Sequence, residues 1–270
     1  MTASFFVVPQ WQGSASARAM RLADGALAIS RDLPSSSTTL VEVPAEAGDD
    51  QGCGVARCSS IMTVRDRVAE ALAQRPGPAV TIGGDCGVEL AAVSHVVADD
   101  VALLWFDAHP DLNTPESSPS SAFTGMVLRT LLGDGASPLV PERPLDPSRV
   151  VLVGARALDD AEEEYVRASG IRMLGAEVSA QAVLDAVAAT GATRVYVHVD
   201  LDVLDPGIIA GLGAPVPFGI SAEALVELLR AVVSRFPLAG AGLTEFAPAS
   251  PDAAEDDLAT ILRIIGALTR

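Results

Sequence analysis

Two short segments gather side chains able to hold cations. Asp107-x-His109-x-Asp111 sets three ligands at alternate positions after one apolar run, and Asp200-x-Asp202 repeats the pattern after another. Alternate residues of an extended backbone project to one side; if the chain bends into a loop, they wrap around an ion. Five oxygen and nitrogen ligands, four of them carboxylates, suit hard or borderline divalent cations, with Mn2+ a natural choice. Four clustered carboxylates need compensating positive charge to stay ionised. The chain has no lysine, its 18 basic residues all being Arg, and no arginine stands beside these motifs. Two divalent ions about 3.5–4 Å apart, bridged by carboxylates, supply that charge and pull the pKa of a shared water toward neutrality. A hydroxide nucleophile is the chemistry to expect. A third apolar run ends in Gly83-Gly84-Asp85-Cys86-Gly87, adding a thiol.

Convergence of such segments requires parallel strands with their carboxyl ends together. The sequence predicts strands over Phe5–Val8, Ala79–Ile82, Val101–Phe106, Val150–Val153, Ile171–Met173, Val195–Val199 and Ala239–Leu243. Several are apolar almost throughout, as strands covered by helices on both faces are. Ser221 caps a helix to Phe236 with Leu225, Leu228, Leu229 and Val232 at helical spacing. Ser250-Pro251 opens a last helix carrying Leu258, Ile261, Leu262, Ile265 and Leu268. Thr63-x-x-Asp66 predicts the start of another, running to Gln74. This alternation implies one doubly wound, mainly parallel α/β domain over residues 1–270. Ser117–Thr124 reads as a binding loop over the site, 134–149 as a surface connection, and Asp205-Pro206 as a turn.

Composition narrows the function. With 35 acidic residues and a net charge of −17, nucleic acid is disfavoured and a small cationic substrate is suited. Without lysine there is neither a Walker-A loop nor a Schiff base. Cys53, Cys58 and Cys86 form no disulfide framework, and Cys53-x4-Cys58 lacks the further thiols of a zinc site. No basic leader and no apolar span of about 20 residues stands out, so a reduced cytoplasmic protein, not a membrane protein, is expected. His95, His198, Trp11 and Trp105 read as structural.

The chain resembles the ureohydrolase family of arginase, agmatinase and their relatives. Gly-Gly-Asp-Cys (83–86), Asp-Ala-His-Pro-Asp-Leu-Asn-Thr (107–114), a Ser-rich loop, Asp-Leu-Asp-Val-Leu-Asp-Pro (200–206) and a late Glu245 carry the likeness, in family order. It implies a three-layer α/β/α sandwich around an eight-stranded sheet and two Mn2+ ions. Asp107 and Asp200 would bridge them, Asp111 would complete one shell and relay the hydroxide's proton, and His109 with Asp202 would complete the other. Glu245 matches the carboxylate that holds the guanidinium group. Two positions depart from the pattern. Cys86 stands where the family has a metal-binding His, and a thiolate is softer than imidazole. Thr124 stands where arginases have a His acid, a role a hydroxyl cannot fill near neutral pH.

The resemblance further implies an amino-acid substrate, with Asn113, Ser118 and Ser120 at its α-carboxylate and Asp159 at its α-amino group. Cys86 with Thr124 resembles the branch that turns Nω-hydroxy-L-arginine into hydroxyurea and L-ornithine for D-cycloserine biosynthesis. The rival expectations are a plain arginase or other guanidino-acid hydrolase, and a catalytically silent binding protein. Family members often form trimers or hexamers, which makes a homo-oligomer a further expectation.

Overall fold

The computed structural model describes residues 3–269. Eight strands form one sheet: β1 (Ser4–Val8), β2 (Thr38–Leu40), β3 (Ala79–Gly83), β4 (Val101–Phe106), β5 (Val150–Val153), β6 (Arg172–Leu174), β7 (Arg194–Asp200) and β8 (Leu238–Thr244). Their order is β2-β1-β3-β8-β7-β4-β5-β6. Every strand pairing is parallel, so the sheet is wholly rather than mainly parallel. The last two strands to form in sequence, β7 and β8, fill the gap between β3 and β4.

Alternation along the strands divides the core into two layers. Phe5, Val7, Val80, Ile82, Leu104, Phe106, Val197 and Val199 face one side. That side is covered by α1 (Met20–Ser30), α6 (Ala180–Ala188), α7 (Ala222–Arg235) and α8 (Pro251–Leu268). Phe6, Val8, Leu103, Trp105, Leu152 and Tyr196 face the other. There the cover is α2 (Cys58–Ala73), α3 (Glu89–Val96) and α4 (Val127–Leu131), with Tyr165 and Val166 of α5 (Asp160–Ser169) packed at its margin. A strand buried on both faces needs apolar residues at consecutive positions, and β4 is buried at all six.

The helix caps follow the sequence. The hydroxyls of Ser221 and Ser250 accept the N–H groups of Ala224 and Ala253. The sheet has the eight strands that the resemblance implies; the one that the strand pattern leaves out, β2, is a three-residue edge piece that is half-buried to exposed and carries no alternation. One expectation needs correction. Helix α2 begins at Cys58, after Arg57 turns the chain at φ 59°. Thr63 therefore lies inside it, its hydroxyl donating to the Ser59 carbonyl at 2.9 Å. Among the described residues no helix is long and apolar enough to cross a membrane.

Candidate metal centre

The carboxyl ends of four adjacent strands, β3, β8, β7 and β4, deliver the site. After β3 the chain turns sharply through Gly84, whose absent Cβ would collide with the Gln10 carbonyl. Asp85 locks that turn: its carboxylate accepts from the Gln10 amide (2.7 Å) and from the backbone N–H groups of Gly13 and Gly87 (2.8 Å each). Cys86 is thereby aimed across the strand ends. Its Sγ lies 3.1 Å from Asp200 Oδ2 and 3.2 Å from Thr244 Oγ1. The Asp200 carboxylate also accepts the N–H of Asp202 (2.8 Å), tightening the turn beyond β7.

Beyond β4, Asp107 accepts from its own strand through Trp105 Nε1 (3.0 Å) and from the His109 N–H (2.7 Å). His109 Nδ1 reaches Asp202 Oδ2 at 2.9 Å, and the other Asp202 oxygen accepts the Ala108 N–H at 3.1 Å. Glu245, directly after β8, holds φ 66° and accepts the Cys86 N–H at 3.2 Å. Asp111 sits at φ 52°, and its Oδ2 is buried with no hydrogen-bond partner.

Ligand atoms cluster in two groups, each within 4.8 Å: Cys86, Asp107, His198 and Asp200, then Asp107, His109 and Asp202. Asp107 belongs to both. Asp111 stands outside the two groups but close enough for its charge to act on Cys86. Burial dominates the electrostatics here. It lifts Asp107 to about 6, assisted by Asp202, and lifts Asp111 and Asp200 well above the carboxylate range, assisted by their acidic neighbours. Burial, then Asp200 and Asp111, push the Cys86 thiol up as well. Glu245 is raised by burial and by Asp85. Burial opposes the charge on His109, yet its bonds to Asp107 and Asp202 raise it to about 11. The pattern is one of acids short of positive charge, with an orphaned carboxylate oxygen among them. Such a donor set fits divalent cations.

A cavity of about 620 Å³ opens over these groups and is lined by Cys86, His109, Asp111, Asp200, Asp202 and Glu245 on its floor. The loop expected over the site is there, with Ser118, Ser120 and Thr124 on the wall. Asn113 Nδ2 donates to Asp159 Oδ2 at 2.9 Å, joining the metal-side loop to the start of α5. The hydroxyls of Ser118 and Ser120 accept the N–H groups of Ser121 and Ala122. Asp205 forms the expected turn, accepting from Gly207 N–H at 3.0 Å. Cys53 and Cys58 form no disulfide, and burial with the Cys53 contact pushes the Cys58 thiol up to about 12.

An arginase family model covers residues 14–267. This chain belongs to the arginase family. It is 32% identical to the Nω-hydroxy-L-arginine amidinohydrolase of Streptomyces lavendulae over 94% of this chain and 93% of that one. It is 34% identical to the arginase of Bacillus subtilis over 57% of this chain and 56% of that one. In structure it superposes on the arginase of Entamoeba histolytica, solved with L-ornithine, with a TM-score of 0.88 over 99% of both chains. That likeness, at 23% identity, is one of fold. This arginase-family member is therefore an amidinohydrolase, a hydrolase acting on a small substrate.

Two residues of the site escape the motif reading. His198 joins the first ligand group although the sequence presents it as structural. Its signal is the strand period: it stands two residues before Asp200 and so shares its face. Glu162 accepts the N–H groups of Leu112 and Asp159, each at 2.9 Å, and so anchors the chain just past Asp111. Asp159-x-x-Glu162 is a capping box, legible as such.

Proposed function

We propose that this arginase-family enzyme is a binuclear-manganese hydrolase of Nω-hydroxy-L-arginine, yielding hydroxyurea and L-ornithine. The observation that carries the reading is the likeness to the Streptomyces lavendulae amidinohydrolase along 94% of the chain, where the Bacillus subtilis arginase matches 57%. Thr124 on the cavity wall and the thiol of Cys86 on its floor support it. A hydroxyguanidine is less basic than a guanidine, so the substrate enters less cationic, and its N-hydroxyl gives Thr124 a hydrogen-bond partner that L-arginine lacks. Hydroxyurea release would suit a role in antibiotic biosynthesis.

In this reading Cys86, Asp107, His109, Asp111, Asp200 and Asp202 hold the ions. When bound, the ions neutralise the carboxylates and acidify a water into a nucleophile near neutral pH. The remaining work falls to the chain. Glu245 accepts N–H bonds from the hydroxyguanidine and turns its central carbon toward the carboxylate cluster. Asp111, with its unpartnered oxygen, takes the proton released as the C–O bond forms. The tetrahedral adduct then collapses, the bond from carbon to the ornithine Nδ breaks, and that nitrogen receives the proton. Thr124 offers its hydroxyl to the substrate N-hydroxyl. At the far end of the cavity, Asn113, Ser118, Ser120 and Asp159 receive the α-carboxylate and α-amino groups. Arg18 and Arg21 also line the cavity and favour an anionic substrate end.

Turnover of Nω-hydroxy-L-arginine, L-arginine and agmatine by Mn2+-loaded protein, with a metal count on the same sample, tests the proposal. Two ions per chain and preferred release of hydroxyurea are expected. Faster turnover of L-arginine would make the protein an arginase. No bound metal and no turnover would make it a silent binding protein.

A further inference from the structure

Behind the floor of the cavity lies a buried polar pair that the reaction above does not use. His198 of β7 and Glu89 of α3 are both completely buried. The imidazole lies flat on Trp105, ring centroids 3.6 Å apart, which fixes its plane. Its Nδ1 faces Glu89 Oε1 at 3.7 Å. Neither atom has a hydrogen-bond partner among the described residues. The other carboxylate oxygen accepts the Tyr196 hydroxyl at 2.6 Å, so Glu89 is held in place from behind. Room for it is built into the sheet: a Cβ at Gly242 of β8 would collide with this carboxylate.

The opposite ring atom, His198 Nε2, looks into the site. It stands 3.9 Å from Cys86 Sγ and 3.9 Å from Asp107 Oδ2. Those separations are too long for good hydrogen bonds to either. They match two ligands of one cation, since donor atoms about 2.0–2.3 Å from a metal stand roughly 3–4 Å apart. An imidazole that ligates through one nitrogen ordinarily donates its other N–H to a carboxylate, which fixes tautomer and plane. Glu89 is the carboxylate that faces Nδ1, 3.7 Å away with its Oε1 free to accept, and the Nδ1–H tautomer leaves the Nε2 lone pair aimed between Cys86, Asp107 and Asp200.

We infer that His198 is a metal ligand of the inner site, completing Cys86, Asp107 and Asp200, with Glu89 as its positioning residue. The inference rests on the metal centre proposed above, and it adds a second imidazole to that of His109.

Mn2+ titration calorimetry and metal counting on wild type, His198→Phe and Glu89→Gln test it. His198→Phe keeps a ring against Trp105 and removes the nitrogen. It should bind one ion per chain instead of two, or bind the inner ion at least tenfold more weakly, while Glu89→Gln loses affinity by about 10–100-fold. Unchanged stoichiometry and affinity in His198→Phe would overturn the inference and leave the metal centre standing. Wild type without metal would sink both. Should His198→Phe fail to fold by circular dichroism, pulsed electron paramagnetic resonance on Mn2+-loaded His109→Gln decides. His95 is exposed on α3, so a remaining directly coupled imidazole nitrogen assigns the ligand to His198, and its absence refutes it.

Discussion

At the scale of single residues, the site is held in conformations that side chains rarely adopt. Asp111 and Glu245 occupy the left-handed region at φ 52° and 66°, each at a cost of about 1–3 kcal/mol. Their surroundings impose it: the Asp111 carbonyl accepts the Arg129 N–H at 3.0 Å, and the Glu245 N–H donates to the Gly84 carbonyl at 2.8 Å. Glu245 is thus a preorganised acceptor rather than a mobile surface acid. Glu245→Gln should lower kcat/KM by roughly tenfold or more with metal retained, because the amide presents N–H groups toward the substrate's own N–H groups. Asp202→Asn should lower it by a similar factor but also weaken metal binding, since Asp202 holds His109. Steady-state kinetics with a metal count separates the two effects. An unchanged rate in either variant refutes the role assigned to it.

At the scale of elements, the loops around the candidate metal centre are stapled to neighbouring helices and carbonyls. Glu162 satisfies two backbone N–H groups at once, and burial raises its own pKa. Glu162→Ala should therefore destabilise the protein by about 2 kcal/mol, because two buried donors lose their acceptor, and urea unfolding measures it. A loss under a few tenths of a kcal/mol would mean that water replaces the carboxylate there. The arginine Arg156 works similarly. Its guanidinium donates to the carbonyls of Gly154, Asp202, Val216 and Pro217, tying the turn after β7 to the loop that precedes α7.

Much of this scaffold is legible in the sequence. Strands buried on both faces and serine-capped helices announce themselves through composition and spacing, and β4, α7 and α8 fall close to where those signals set them. β2 carried no such signal: three residues at a sheet edge bury too little to impose a pattern. The start of α2 carries no cap signal in the sequence because a left-handed Arg57, not a side-chain cap, begins it. In the site, alternate spacing brings Asp107, His109, Asp200 and Asp202 into two overlapping groups and leaves Asp111 just outside them. His198 was obscured because a histidine within an apolar strand looks like packing until the sheet brings Glu89 and Cys86 to its two nitrogens.

At the scale of the whole molecule, the strand-end acids link stability to pH and to metal. Asp107 binds its proton up to about 6 in the folded chain, above the ordinary carboxylate value. Between those values the folded state holds more protons than the unfolded one, so stability falls as pH rises through that window. Asp111, Asp200 and Glu245 are shifted in the same direction and extend the fall upward. His109 is raised to about 11. The stability it contributes is complete below its unfolded value and is lost as pH climbs toward the folded one. Among the clustered acids Asp202 alone shifts down, against its burial, held there by His109, and its opposite slope lies below the ordinary carboxylate range. Above that range the other slopes share a sign, and the net charge of −17 adds self-repulsion at the alkaline end. Metal-free protein should therefore melt at progressively lower temperature from about pH 5 to pH 9. Cations at the proposed centre would take the place of those protons, so their binding would release protons and strengthen with pH. Scanning calorimetry with Mn2+ and with chelator should give two melting curves against pH that nearly meet at the acid end and diverge steadily toward the alkaline end. Parallel curves would mean that the ions bind without displacing protons, and the carboxylate cluster would then already be ionised in the metal-free fold.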